Sequence, residues 1–429
     1  MINENKKHIR SWVMYDWANS AFATTIASVL FPIFYQDVAA RDLPDYLATA
    51  YFAYTASIAM VIIVILAPFL ASIADYTRTK RQHLAVFAIL GISATALMTS
   101  IVSGSYLYAS AIFILATVGF SGSNIFYDAF LPEITTIKQR NYVSAKGFAY
   151  GYLGGGILLA LNLLMVQYPQ WFGMPDALSG TRLSFITVSV WWLIFSIPII
   201  KNLKDTGIAG TIPNKMSYIT SAKAGVAELG KTLKTILKHR ELLKFLIAFW
   251  LYNDAIGTII GLAATFGREI GIDTLSLMGA ILLVQLAGFP FTLIFGKYAN
   301  KIGTKNSLYI CLFIYFIAIV SGYFMTNALH FFLLAFLVAT SQGASQAFSR
   351  SLFSTLIPSE HPAKFFAFYS VFNKMKFLAP AVFGFVAQAT GNSRNGVLTL
   401  LFFLIVGGLI LRTVKENQHT VPKTAHATL

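Results

Sequence analysis

The chain has 429 residues, 56% hydrophobic and only 11% charged, with a formal net charge of +15. A soluble domain carries about 25% charged residues, so a water-soluble fold is excluded. The basic excess does not point to nucleic acid either: it is confined to alternate connections between apolar blocks, as membrane topology dictates.

The apolar residues come in blocks of about twenty, the length of helix that crosses about 30 Å of hydrocarbon. Strands of a membrane barrel alternate over about ten residues and do not fit such continuous runs. The spans predicted in chain order are 11–38, 46–73, 83–103, 106–131, 142–167, 182–201, 241–267, 274–297, 306–325, 328–353, 364–389 and 396–412. Lys6, Lys7 and Arg10 ahead of the first span resemble a secretory leader, but the run contains Asp16 and continues to Val38 with no small-residue cleavage site, so it reads as an uncleaved span.

Lys and Arg gather at the N-terminus, around Arg78, Lys80 and Arg81, at Lys138 and Arg140, in the long middle segment, at Lys297, Lys301 and Lys305, at Lys364 and in the tail. The opposite connections hold only Arg41, Arg182, Arg268 and Arg394. This asymmetry puts both termini in the cytoplasm of an inner membrane, which requires an even number of spans and agrees with twelve. The long connection at 202–240 carries Val226, Leu229, Leu233, Ile236 and Leu237 at helical spacing, interleaved with Lys231, Lys234, Lys238 and Arg240. It reads both as a link between halves and as a helix lying on an anionic surface. The expected organisation is an all-α membrane protein with a six-helix bundle over 1–201, a linker over 202–240, a second bundle over 241–412 and a tail over 413–429.

The two halves repeat one another, as carriers built from internal repeats do. Span one reads Trp12-Val-Met-Tyr15-Asp16, and span seven Trp250-Leu-Tyr252-Asn253-Asp254. Span four carries Ser123-Asn124-Ile-Phe126-Tyr-Asp128 and then Pro132. Span ten carries Ser345-Gln346-Ala-Phe348-Ser-Arg350 and then Pro358. Ionisable residues inside spans are costly and mark function. Those away from the outermost turns, or with polar neighbours, are Asp16, Asp128, Asp254, Arg350, Lys374 and Lys376; Asp37 and Lys146 fall in outermost turns and read as interfacial.

Asp16 with Asn19, Asn124 with Asp128, and Gln346 with Arg350 lie three or four residues apart, so each pair forms a polar stripe on one helix face. Lipid cannot hydrogen-bond such a stripe, so it must face a cavity or a partner helix. Asp254 at depth is suited to taking up and releasing a proton. Asp128 and Arg350 form either a cavity wall or a cytoplasmic gate. Lys374 and Lys376 cannot point the same way on a helix, so one is expected to face the cavity and the other to snorkel or pair; Lys374 is the one expected in the cavity, where it could bind a solute carboxylate or pair with Asp254. Gly151, Gly154, Gly155 and Gly156 suit close helix packing rather than phosphate binding. Tyr15, Trp17, Trp250 and Tyr252 lie beside the stripes and could wall a cavity. Cys311 permits no disulfide. The seven histidines lie outside the spans or at their edges, which argues against an enzyme or a metal centre.

The short loops Ala71–Arg81 and Gly296–Lys305 resemble the signature loop of the major facilitator superfamily: a glycine, three residues, an acid, then basic residues around a glycine. The first keeps Asp75, with Ala71 in place of the glycine. The second keeps Gly296 and Gly303, with Asn300 in place of the acid. Tyr15-Asp16-Trp17-Ala18-Asn19-Ser20, Leu251-Tyr252-Asn253-Asp254, Ser349-Arg350-Ser351-Leu352-Phe353 with Ile357-Pro358, and Phe365-Phe366 and Tyr369 with Lys374 are similar to the vacuole-effluxer branch of that superfamily, related to the autophagy-linked vacuolar amino-acid effluxers of fungi. Asn373 stands where that branch has a glycine, and Lys376 is an addition.

The resemblance implies twelve transmembrane helices in two pseudo-symmetric bundles, with spans one, four, seven and ten around a central cavity. It implies transport, with Asp75, Arg78, Arg81, Asn300, Lys301 and Lys305 as gating residues. Solute and proton would bind among Asp16, Asn19, Asn124, Asp128, Asn253, Asp254, Gln346, Arg350, Asn373 and Lys374. The expected function is a monomeric, proton-coupled carrier of a small, carboxylate-bearing, amino-acid-like metabolite, partnered by lipid and protons and needing no cofactor. The alternatives are export or import of a larger metabolite, siderophore or drug, and a receptor or scaffold on the same fold.

Overall fold

A computed structural model describes residues 2–76, 79–135, 137–203, 230, 234, 237–357, 365, 368–369 and 372–415. Every regular element among them is helical. The first helix, α1, is α-wound over Ile2–Ala21 and continues without a break through a π-wound stretch Phe22–Leu30, an α turn Phe31–Phe34 and a second π-wound stretch Tyr35–Ala39. The rest of the first half comprises α2 (Asp45–Tyr76), α3 (Lys80–Leu97), α4 (Tyr106–Ile134), α5 (Ile137–Gln167) and α6 (Ala177–Asn202). The second comprises α7 (Arg240–Glu269), α8 (Thr274–Ile302), α9 (Thr304–Tyr323), α10 (Ala328–Leu356), α11 (Leu378–Thr390) and α12 (Ser393–Thr413).

Among the described residues ten helices are long and apolar enough to cross a membrane: all except α8, whose apolar stretch is Thr274–Gly288, and α11, with 13 residues. Expected span eleven, 364–389, is therefore not one continuous helix. Residues 372–374 are helical, 375–377 are not, and α11 follows. The gate-loop residue Arg78 lies outside the described residues, as do the side chains of Asp75, Asn300 and Lys301. So do Val226, Leu229, Lys231, Leu233 and Ile236 of the linker; Lys234, Leu237 and Lys238 are described, helical and exposed.

The helices leave the face opposite the termini from side-chain caps. Asp176 starts α6, Asp273 starts α8, Asn327 starts α10 and Asn392 starts α12, each accepting a backbone N–H two or three residues on at 2.8–3.0 Å. Short polar side chains satisfy the orphan N–H groups of a first turn in this way. The Ser179 N–H holds the Asp176 carboxyl below its usual range, and the Ser276 N–H does the same for Asp273.

Packing repeats with a step of six helices: α1 lies on α5 and α6 as α7 lies on α11 and α12, α3 on α4 as α9 on α10, and α2 on α4 as α8 on α10. The repeats meet each other where α2 packs on α11 and α5 on α8. Close approaches are set by glycines. On α5, a Cβ at Gly151 would lie 2.5 Å from Ser20 Oγ, at Gly154 2.7 Å from Trp17 O, and at Gly155 2.7 Å from Thr24 Oγ1. Gly156 faces nothing within 4 Å, so the packing role expected of the glycine cluster belongs to the other three and to Gly147.

At the terminal face α3 and α4 are tied by Lys80 Nζ, which donates to Glu133 Oε1 at 2.6 Å, with side chains 6% and 8% exposed. Losing the lysine of so buried a pair is destabilising. Lys80→Ala is expected to lower the thermal midpoint of the detergent-solubilised protein sharply, while Lys244→Ala, whose Glu241 pair is partly exposed, is not.

Candidate functional site

The polar residues on the spans do not all converge on one point. Asn19 Nδ2 donates to Asn124 Oδ1 at 2.7 Å, so the stripes of α1 and α4 satisfy each other inside the first half. Asp16 lies on the same face one turn away, and its Oδ2 would be 2.7 Å from a Cβ at Gly147 of α5. The Asp16 carboxylate feels the charge of Asp128, which in turn feels Lys374 and Arg350 from the other half. None of Asp128, Arg350 and Lys374 forms a direct ion pair among the described residues. Asp128, Gln346 and Arg350 are exposed although they sit well inside α4 and α10. Since Asp128 faces Lys374 and Arg350 across the interface between halves, this exposure marks an opening toward the terminal face.

The polar residues of α7 hold the interruption before α11. The Trp250 indole N–H donates to Met375 O at 2.7 Å. Asn253 Nδ2 donates to Asn373 O at 3.3 Å and to Asn373 Oδ1 at 3.2 Å. Asp254, 1% exposed, accepts the N–H groups of Leu378 (3.0 Å) and Ala379 (2.9 Å) on Oδ2. Because 375–377 is not helical, Lys374 and Lys376 diverge: Lys374 faces Asp128, and Lys376 faces Asp254 with its stem laid over Gly257.

Above these charges lies a cavity of about 310 Å³ between the halves. Its polar wall comes from Ser20, Thr24 and Ser28 on α1, Tyr152 on α5, Thr258 on α7, Gln285 on α8 and Gln342 on α10, and no charged residue lines it. Gln285 Nε2 donates to Thr24 Oγ1 at 3.3 Å, and Gln342 Oε1 is buried without a partner. None of the ten residues expected to bind solute or proton lines this cavity, and neither does α4; the Asn19–Asn124 bond turns that stripe inward to α1. Tyr15 and Tyr252 are buried in helix contacts, and Trp17 stacks on Trp191 at 5.5 Å, so these aromatics are packing residues.

The far face is closed by bonds that cross between halves. Arg268 Nε donates to Asp37 Oδ1 at 2.6 Å. Thr49 donates across to Glu269 Oε2 at 2.5 Å, and Gln36 Nε2, which also donates to Thr49 Oγ1 of its own half at 2.6 Å, reaches Thr265 O of the other half at 3.4 Å. Tyr54 donates to Gln388 Oε1 at 2.8 Å where Gly384 lets α11 approach α2. Sequence reasoning missed this set, having read Asp37 as interfacial and counted Arg268 only for topology. It also missed Gln342, although Gln342 precedes Gln346 by one helical turn on the same face. Of the expected gating residues, Arg81 is half-buried, and Lys305 Nζ donates to Arg412 O (3.2 Å) and Val414 O (2.6 Å), which caps the C-terminus of α12.

Residues 45–422 match the family model described as "Vacuole effluxer Atg22 like". Uncharacterized MFS-type transporter YxiO of Bacillus subtilis (strain 168) is 37% identical over 423 residues, 98% of this chain and 97% of that protein. Autophagy-related protein 22 of Vanderwaltozyma polyspora is 23% identical over 480 residues, covering 96% and 90% respectively. Among solved structures, a D-xylose-proton symporter superposes with a TM-score of 0.66 at 14% identity, over 99% of both chains. A bacterial homolog of the human lysosomal transporter Spinster, in an inward-facing, unoccupied conformation, gives 0.67 at 14% identity, over 96% of this chain and 98% of that one.

Proposed function

We propose, from the premise that this chain belongs to the family of Atg22-like vacuole effluxers and is a transporter of the major facilitator type, not an enzyme, that it is a proton-coupled carrier working by alternating access. The observation that carries this reading is the contrast between the two ends of the cavity. The far end is shut by the Asp37–Arg268 pair and the Gln36–Thr49–Glu269 relay, while the terminal end presents Asp128 and Arg350 to an opening. Charges facing one another without direct pairing suit a site that receives a charged solute and then lets it go.

In this reading the two bundles are 1–201 and 241–412, α8 and the 365–390 region complete twelve spans, and both termini lie in the cytoplasm of an inner membrane. The solute is a small metabolite with a carboxylate, amino-acid-like in size. Lys374 and Arg350 attract the carboxylate, and the uncharged cavity above them holds the remainder, where Gln342 Oε1 can accept a hydrogen bond. Asp16, Asp128 and Asp254 are the acids available to carry a proton.

A thermal-shift screen of the purified protein against amino acids, peptides, nucleosides and siderophores tests this. A carboxylate-bearing hit is then followed in proteoliposomes with and without an imposed pH gradient. Uptake accelerated by the gradient is expected, and uptake indifferent to it would remove the proton. Asp128→Arg combined with Arg350→Asp is expected to recover more uptake than either change alone; no recovery would separate the two residues functionally.

A further inference from the structure

A helix interrupted inside the membrane frees backbone groups that lipid cannot satisfy. Here one side of one helix supplies the replacement partners: Trp250, Asn253 and Asp254 of α7 bind residues 373, 375, 378 and 379. The Asp254 carboxylate occupies the N-terminus of α11, where a negative charge is favoured by the helix dipole and two orphan N–H groups need acceptors. Both bonds fall on Oδ2. The other oxygen, Oδ1, is buried and has no partner. The one charged group acting on this carboxylate is Lys376, from the interruption itself; α1, α2, α8, α9, α10 and α12, packed against α7, place no acid or base against it among the described residues.

The interruption has a geometric result. In a continuous helix Lys374 and Lys376 would lie about 200° apart around one axis. Here the non-helical 375–377 sends Lys376 back to Asp254 and leaves Lys374 facing Asp128 of the other half. We infer that Asp254 is a positioning residue, not a solute ligand: ionised, it holds the interruption before α11 and so aims Lys374 at Asp128, and a proton taken up on its free Oδ1 loosens that hold. Protonation removes the charge that strengthens both N–H bonds and the attraction to Lys376 together. The proton is thereby linked to where Lys374 points, without touching the solute.

Resting on the carrier reading only for the use made of this motion, the role of Asp254 can be tested without a solute. Hydrogen–deuterium exchange of the full-length protein in detergent, corrected for the intrinsic pH dependence of exchange, reads the amides of residues 376–379. In the wild type their protection is expected to fall about tenfold from alkaline to acid pH. Asp254→Asn keeps an oxygen to accept both N–H groups and is expected to fold, with protection that no longer changes with pH. Asp254→Ala is expected to be unprotected throughout, while Asp16→Asn keeps the wild-type pH response. Persistence of the pH response in Asp254→Asn, or wild-type protection in Asp254→Ala, overturns the inference. Should Asp254→Ala fail to fold, Asp254→Asn alone decides. These outcomes stand whether or not a pH gradient drives uptake, so a failure here and a failure of the carrier reading are told apart.

Discussion

A cysteine placed at Ser28 on the cavity wall is expected to react with a membrane-impermeant thiol reagent from the terminal face and hardly at all from the far face. The native Cys311 is buried, so it contributes little background. Replacing Asp37, Thr49 and Glu269 together by alanine should open the far face to the reagent. The expected size follows from the bonds removed. The Thr49–Glu269 hydrogen bond, which crosses between halves, contributes about 1 kcal/mol. The Asp37–Arg268 pair, about a third exposed on each side chain, adds at most about 1 kcal/mol after solvent screening. A total of up to about 2 kcal/mol shifts the ratio of closed to open far face by up to about thirtyfold, which labelling rates resolve easily. Unchanged labelling would mean that the far face is held by the contacts of α2 with α11, the Tyr54–Gln388 bond among them.

The second large effect is expected from two glycines two residues apart on α5. Gly154→Leu drives a side chain into the backbone of Trp17, where a Cβ would already lie 2.7 Å from the carbonyl oxygen. Neither α1 nor α5 can yield locally, because Trp17 is also fixed by its stacking on Trp191 and by the Trp191 N–H on its carbonyl at 3.1 Å. Overpacking of this kind costs about 1–3 kcal/mol or more, so a large drop in thermal midpoint and in yield is expected. Gly156→Leu faces nothing within 4 Å and gains helix propensity, so it should be neutral or slightly stabilising. Equal behaviour of the two variants would place the α1–α5 contact elsewhere.

What could be read from residues alone divides along physical lines. Hydrophobic length is a local property, and it located the ten long spans and the repeat of Trp12–Asp16 in Trp250–Asp254. Helical spacing is local too, and it paired Asn19 with Asp16 on one face. Which face meets which was not readable: the Asn19–Asn124 bond consumes a stripe that spacing alone could equally well aim at a cavity. The far-face bonds that cross between halves join residues more than two hundred positions apart in sequence, and nothing near Asp37 announces Arg268. The interruption before α11 did leave a trace. Pro380 has no N–H to offer the carbonyl four residues earlier, that of Lys376, and proline is tolerated in a first helical turn. Read that way, Pro380 marks a helix start just ahead of it and places both lysines outside the helix. The π-wound stretches of α1 left no comparable mark; neither Phe22–Leu30 nor Tyr35–Ala39 contains glycine or proline, and Pro32 lies between them.

The correspondence of α5 with α11 has a mechanical side. Both pack beside the first helix of their own half and across on the other half, so both must accommodate any rocking of one half on the other. α5 does so as an unbroken strut of 31 residues, seated in α1 through glycines that fix a distance but set few angles. α11 meets the same load with three residues already out of the helix and a bracket of directional bonds. Stiffness is therefore unequal on the two sides of the cavity. Displacement should be taken up as sliding beside α5 and as bending beside α11, so the two halves, alike in plan, would share the stroke unevenly.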